Sequence, residues 1–175
     1  FGHGAEALDN ARVERDEISA HNGIHTVVWH QLLDGIPIFE GVLKAHSTNR
    51  GELVNIGSMF VADPAKLADK NFNNRRAFES KPGISVQEAV AAAARSVEEE
   101  IQPAEVQAIE GAQGPEKKQR FKHPKLIDPN ALLTWLPLAP DNLRLCWDVV
   151  LMSKTRREMF RLLVDAQTGD ILVRR

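Results

Sequence analysis

The chain has 175 residues, 43% of them hydrophobic, and a formal net charge of −2. That is enough material to bury a core, and the near-neutral balance gives no electrostatic footprint for nucleic acid or for an anionic membrane surface. No run approaches the ~18 apolar residues of a membrane-spanning helix, and the one cysteine, Cys146, excludes an internal disulfide.

The opening FGHGAEALDN reads like the middle of a longer chain, without a signal-peptide pattern. Residues 11–18, ARVERDEI, alternate weakly and end at the turn residues HNG. Residues 24–33, IHTVVWHQLL, are rich in β-branched and aromatic types and predict a strand. Asp34-Gly35 suits a type I′ turn, in which both central residues need positive φ. Residues 36–46 then return, in a register that sets Leu33 against Ile36, Gln31 against Ile38, His30 against Phe39 and His25 against Lys44. Pro37 lacks an N–H and belongs at an outward ladder position or near an edge. NRG makes the next turn, and residues 52–61 the next strand of an antiparallel meander.

Residues 63–83 are polar and broken by Pro64, Asn73, Asn74, Pro82 and Gly83, which predicts a short helical turn and then a linker. Ser85 and Glu88 have the spacing of a capping box. Behind them Val86, Ala89, Val90, Ala93, Ala94 and Val97 form one apolar stripe of a helix that Pro103 should stop. Two short polar strands follow at 104–110 and 117–122, then the strand ALLTWLPL. In 143–152 the alternation is clean: Leu143, Leu145, Trp147, Val149 and Leu151 share one face, with Cys146 on the other as the more accessible neighbour of Trp147. Residues 158–165 and ILVRR complete the strands, joined by a turn in which Asp165 bonds forward to backbone N–H groups and Gly169 takes the left-handed position. The fold class expected is α+β: a meander module (1–63), a linker (64–83), and a helix-plus-antiparallel-sheet module (84–175).

The residues that could carry chemistry have plainer readings. Of the histidines, His21 and His25 are four apart with Gly23 between them, and His25 and His30 point to opposite faces of one strand, so no zinc ligand set forms. Cys146 has no nearby base to activate it. Glu98, Glu99 and Glu100 read as the solvated end of a helix. No phosphate-cradling glycine loop is present.

The stretch HTVVWHQLLDGIPIFEGVLKAH resembles the fungalysin/thermolysin propeptide motif, with Gln31, Gly35, Ile36, Pro37, Phe39 and Gly41 matching in order and spacing and Gly51, Val54 and Gly57 fitting the return strand. The second half resembles a PepSY domain, a cystatin-like fold, through the capped helix, LCWDVVL around Trp147, and FRLLVDAQTGDIL with Asp165 and Gly169. In that family the two modules, in this order, form the prodomain of secreted zinc metallopeptidases, and the ending VDAQTGDILVRR leans toward the fungalysin-like branch. The resemblance implies an intramolecular chaperone and active-site inhibitor, secreted or in the cell envelope, that is removed on activation. Its partner is the catalytic domain of a zinc metallopeptidase, in cis or in trans. The H-E-x-x-H motif is absent from these residues, so the resemblance implies a non-enzymatic region without a cofactor of its own, zinc being expected in the associated catalytic domain. The motif residues are mainly structural, and Arg174 and Arg175 lie on the segment expected to exit toward the protease. Two other readings stand beside this one: a free-standing PepSY-type inhibitor of the cell envelope, and a small-molecule binding module.

Overall fold

The expected meander forms. In a computed structural model describing residues 5–72 and 74–175, it comprises β1 (Ala11–Ile18), β2 (His25–Leu33), β3 (Ile36–Ser47) and β4 (Leu53–Ser58), all antiparallel. Gly2, Gly4 and Asn73 lie outside the described residues. Asp34 and Gly35 have φ of 51° and 82°, as a type I′ turn demands. Pro115 closes over that turn, so a Cβ on Gly35 would lie 2.8 Å from its Cγ.

The register differs from the sequence reading beyond the first pair. Leu33 pairs with Ile36 and Leu32 with Pro37, but the ladder then jumps to His30 opposite Val42. Gln31 therefore does not face Ile38, nor His30 Phe39, and His25 stands opposite Ser47, with Val28 opposite Lys44. The cause lies in β3. Pro37 cannot donate to the ladder, and the strand turns away after it. The Pro37 carbonyl accepts from Thr134 Oγ1 at 2.9 Å, and Ile38 pairs with Trp135 of the second half in parallel. Glu40, at a φ of 57°, swings the chain back. Gly41 is pressed so close to Ile38 that a Cβ would stand 3.1 Å from its carbonyl oxygen.

Residues 64–80 hold more structure than a turn and a linker. They form α1 (Pro64–Asn71) and α2 (Arg75–Ser80). Pro64 occupies the first turn of α1, where its missing N–H costs nothing, and the Asn74 side chain caps α2 by accepting from the Ala77 N–H at 3.1 Å. Phe72 and Phe78 stack with ring centroids 4.6 Å apart. One core runs from Leu33, Ile36 and Ile38 through Ala68 and Phe72 into the second half.

Next comes α3 (Val86–Ser96), capped as the spacing predicts. The Glu88 N–H donates to Ser85 Oγ at 3.2 Å, and the Ser85 N–H donates to Glu88 Oε2 at 2.7 Å. All six stripe residues are buried. The helix ends well before Pro103. Glu98 takes a φ of 66°, its N–H bonds the Arg95 carbonyl and that of Glu99 bonds the Ala94 carbonyl, which is the Schellman arrangement without its usual glycine. Glu99 is not solvated, as the charge run suggested, but buried, with Ser153 Oγ donating to Oε1 at 2.5 Å. That hydroxyl holds the Glu99 carboxyl below the usual range.

The remaining strands are β5 (Gln107–Ala108), β6 (Gln119–Lys122), β7 (Leu126–Ala139), β8 (Asn142–Ser153), β9 (Met159–Asp165) and β10 (Ile171–Arg174). The main path of the sheet is β1-β2-β3-β7-β8-β9-β10, antiparallel except at β3–β7. With three helices, this is the expected α+β class. The apolar face of β8 packs under α3, and Trp147 Nε1 donates to the Ile84 carbonyl at 3.2 Å. Cys146 is not the accessible neighbour the alternation suggested. It is fully buried with Phe39, Leu136 and Leu163, beneath Leu172 and Val173. Strand β10 and the turned segment of β3 cover the face that pattern alone leaves open. Burial, with the Asp165 carboxylate beside it, drives the Cys146 thiol pKa up and keeps the thiol protonated.

Trp147 is 2% exposed at the centre of this core, and Trp147→Ala should cost about 3–5 kcal/mol in a urea melt, as other aromatic truncations do. Gly35→Val should cost about 1 kcal/mol or more, from its positive φ and from the Pro115 contact. An unchanged midpoint for either variant contradicts the packing described.

Candidate interaction surface

Paired residues on neighbouring strands share a face, so the observed register sorts β1–β4 into two sides. One side carries Arg12, Arg15, Glu17, His30, Lys44 and His46. Much of its polarity is satisfied internally: Arg15 pairs with Glu17, His30 Nδ1 lies 3.0 Å from Glu14 Oε1, and His46 Nδ1 lies 2.9 Å from Thr26 Oγ1. The other side is apolar through its middle. Trp29 lies there, flanked by Val13 and Leu43, with Val27, Ala45 and Ile56 in the next row beside Asp16, which pairs with His25 at the margin of the patch.

Among the described residues, the helices make their main contacts elsewhere. α1 packs on β8, and α3 packs on β7 to β10. Trp29, Val27, Leu43, Ala45 and Ile56 remain half-buried, and Val13 is 50% exposed. An antiparallel sheet commonly leaves one face to water, but that face is its polar one. A half-buried apolar patch on a sheet face is a candidate surface for a partner to cover. The sheet edges differ as well. β1 is charged and bulged between Val13 and Arg15, which discourages pairing with another chain. β4 has neither charge nor proline, and Leu53 and Val54 on it are exposed.

The motif residues gather at the base of this sheet, where it meets the second half. Gln31 is buried and clasps Val61 from both sides, donating from Nε2 to its carbonyl at 2.8 Å and accepting its N–H at Oε1 at 2.7 Å. Gly35 makes the hairpin turn, half-buried Pro37 sends its carbonyl to Thr134, and Gly41 lets β3 fold against Ile38. The ring of Phe39 lies under two guanidinium groups, Arg161 at 4.9 Å and Arg175 at 5.3 Å from its centroid. Arg161 pairs with the buried carboxylate of Asp148 at 2.6 Å, and Arg175 pairs with Glu40 and thereby lowers that carboxyl.

Trp147, Asp165 and Gly169 lie apart from this base, in the second half. Asp165 Oδ1 accepts the N–H groups of Gln167 and Thr168 at 2.8 and 3.2 Å, while Oδ2 accepts from Arg144 Nη2 at 2.6 Å. Gly169 closes the turn at a φ of 85°. Arg174 and Arg175 are engaged on this chain's own surface. Arg174 donates to the Ser96 carbonyl at the end of α3, at 2.8 Å, and Arg175 exchanges backbone hydrogen bonds with Arg161 at 2.9 and 3.0 Å. His25 pairs with Asp16, and His123 Nδ1 accepts the Lys125 N–H. Among the described residues no three His, Cys, Asp or Glu side chains converge as a metal site.

Sequence reasoning placed Trp29 on a strand but gave it no role. The alternation of Val27, Trp29 and Gln31 could have marked an apolar face. What no local pattern carries is that the helices lie elsewhere.

Residues 9–60 match the family model of the Fungalysin/Thermolysin Propeptide Motif, a span that contains the whole of β1–β4. No curated protein matches the chain. Among solved structures, the C-terminal domain of Bacillus megaterium YpeB is similar at a TM-score of 0.43 and 12% identity, over 96% of this chain and 57% of that one. The present chain therefore spans less than two thirds of that structure's length.

Replacing Gln31 by Leu leaves the Val61 N–H and carbonyl without their partners in a buried place. The expected loss is about 2 kcal/mol, within the range for unsatisfied polar groups, read as a shift of the urea midpoint. Full stability of Gln31→Leu would show that water replaces the clasp.

Proposed function

We propose that this chain acts as the prodomain of a secreted zinc metallopeptidase of the fungalysin/thermolysin type. It binds the catalytic domain, assists its folding and blocks its active site until it is removed. The observation that carries this reading is a coincidence of positions: the propeptide motif, residues 9–60, falls on the sheet whose apolar side has no layer of its own. A catalytic domain packed on Trp29 supplies that layer.

The second half is read as a PepSY-like module on its sequence motifs, and α3 covers its part of the shared core. It serves as a rigid mount for the first sheet. Held on the same chain as the peptidase, such a mount works at high effective concentration, so modest contacts keep the cleft covered. Cutting the connection removes that advantage and lets the inhibitor leave. The zinc and its chemistry belong to the partner domain. The 170–175 segment, DILVRR, contributes as an extended strand near the cleft, since proteases hold peptides in that form.

The experiment is a titration of a fungalysin-type catalytic domain, freed of its own propeptide, with this chain and with Trp29→Ser. The wild-type chain should inhibit at micromolar concentration or below. A central tryptophan contributes about 2 kcal/mol or more to an interface, so Trp29→Ser should weaken inhibition about thirtyfold, with unchanged circular dichroism. No inhibition by the wild-type chain overturns the reading. Equal potency of the two proteins removes the Trp29 face from the interface.

A further inference from the structure

The tip of the β2–β3 hairpin does not stand free. It rests against α2 and the loop 114–117, around a cleft of about 420 Å³ lined by Asp34, Ile36, Arg76, Glu79, Pro115 and Lys117. Glu79, on α2, is 8% exposed, and its Oε1 has no hydrogen-bond partner. An unpartnered buried carboxylate oxygen is costly, and the groups around it do not remove the cost. Arg75 Nη1 lies 3.9 Å from Glu79 Oε1 but donates to Asp34 Oδ2 at 2.5 Å, and its Nε donates to Asp69 at 3.0 Å. Arg76 lies 3.8 Å from Asp34 and is largely in water. Lys117 lines the same cleft. One buried guanidinium thus faces three carboxylates, and Asp34 and Asp69 take its short bonds.

We propose that this junction is a protonation-controlled latch: a proton on Glu79 holds the hairpin tip onto α2 and the 114–117 loop, and its loss loosens that contact without unfolding the second half. The proton acts in two ways. It removes the buried negative charge that faces Asp34, and it turns an unsatisfied acceptor into a donor that the Asp34 carboxylate can receive. Consistent with this geometry, burial and then the charge of Asp34, opposed by Arg75, push the Glu79 carboxyl up to about 7.

The sign follows from linkage. With the tip undocked, Glu79 meets water and returns to its ordinary value of 4.5. Below 4.5 both forms carry the proton, and the docked form keeps its full advantage. As pH rises from 4.5 toward 7 the undocked form releases the proton first, so docking weakens steadily. Above 7 both forms are ionised and the contact stays at its weakest. The latch is therefore closed in mild acid and loose in mild alkali, and the element it loosens is the hairpin tip around Asp34 and Gly35, while Pro37 stays bonded to Thr134. This inference stands on the junction alone and does not depend on the identity of any partner.

The test is amide hydrogen exchange on the whole chain at pH 5.5 and 8.0, corrected for intrinsic rates, for wild type and Glu79→Gln. Gln keeps the shape and cannot ionise. In the wild type the protection of residues 32–36 and 75–80 should fall about tenfold or more between the two conditions, while β8 amides keep theirs. In Glu79→Gln the fall should disappear. A carbon-13 titration of the Glu79 carboxyl should give a midpoint near 7, and this reading holds even if the variant folds poorly. A midpoint near 4.5, the same fall in wild type and variant, or a loss spread equally over β8 would each overturn the latch.

Discussion

Everything in this fold depends on β3 belonging to two sheets at once. At its start the strand is wedged into the second half, through the Thr134–Pro37 hydrogen bond and the parallel Ile38–Trp135 pairing. Beyond Gly41 it becomes the central member of the meander, with β2 on one side and β4 on the other. The change is made over Ile38–Gly41, where a positive φ at Glu40 and a missing side chain at Gly41 let the backbone fold on itself. The Gln31–Val61 clasp then ties the neighbouring strand to the chain that leaves β4. Without this splice, the two halves would share neither a ladder nor a core.

The splice also distributes the covering layers. The helices are drawn to the second half, where α3 closes the core over β8. Among the described residues no helix packs comparably across the first sheet, and the apolar middle of one side stays open while the other side's polar groups are largely paired internally. The asymmetry gives physical content to the propeptide motif. The matched residues build the support of an unfinished layer, and Gln31, Gly35, Phe39 and Gly41 hold that support to the body.

The elements that were legible in the sequence are those fixed by neighbours in the chain. Asp34-Gly35 announces its turn because few other pairs accept two positive φ values. Ser85 and Glu88 announce α3 because a capping box is local, and the alternation of 143–152 survives because both strands beside it are antiparallel partners. What was not legible depends on distant contacts. The register beyond Pro37 is set by Thr134 and Trp135, far along the chain. Cys146 sits on a face that looks open until β10 and Phe39 close it. Glu99 and Glu79 lie in polar stretches that read as solvated, and each is buried by something that arrives from elsewhere: Ser153 in one case, the hairpin tip in the other. The end of α3 was misread because a glutamate, rather than glycine, takes the left-handed position.

The Thr134–Pro37 bond joins residues 97 apart, whereas the Asp34–Gly35 turn closes over two residues. Loop-closure entropy separates these events in time, since long-range contacts form only after a larger loss of chain freedom. Hairpins β2–β3, β7–β8 and β8–β9 are local and close early. By the same entropy argument the splice through β3 is expected to close after both of its flanking sheets have paired. On that order, a nascent chain of this kind is expected to display the Trp29 face once the meander has paired, before the two halves lock together. Speed of display, rather than final rigidity, is what a scaffold needs if another polypeptide is to fold against it.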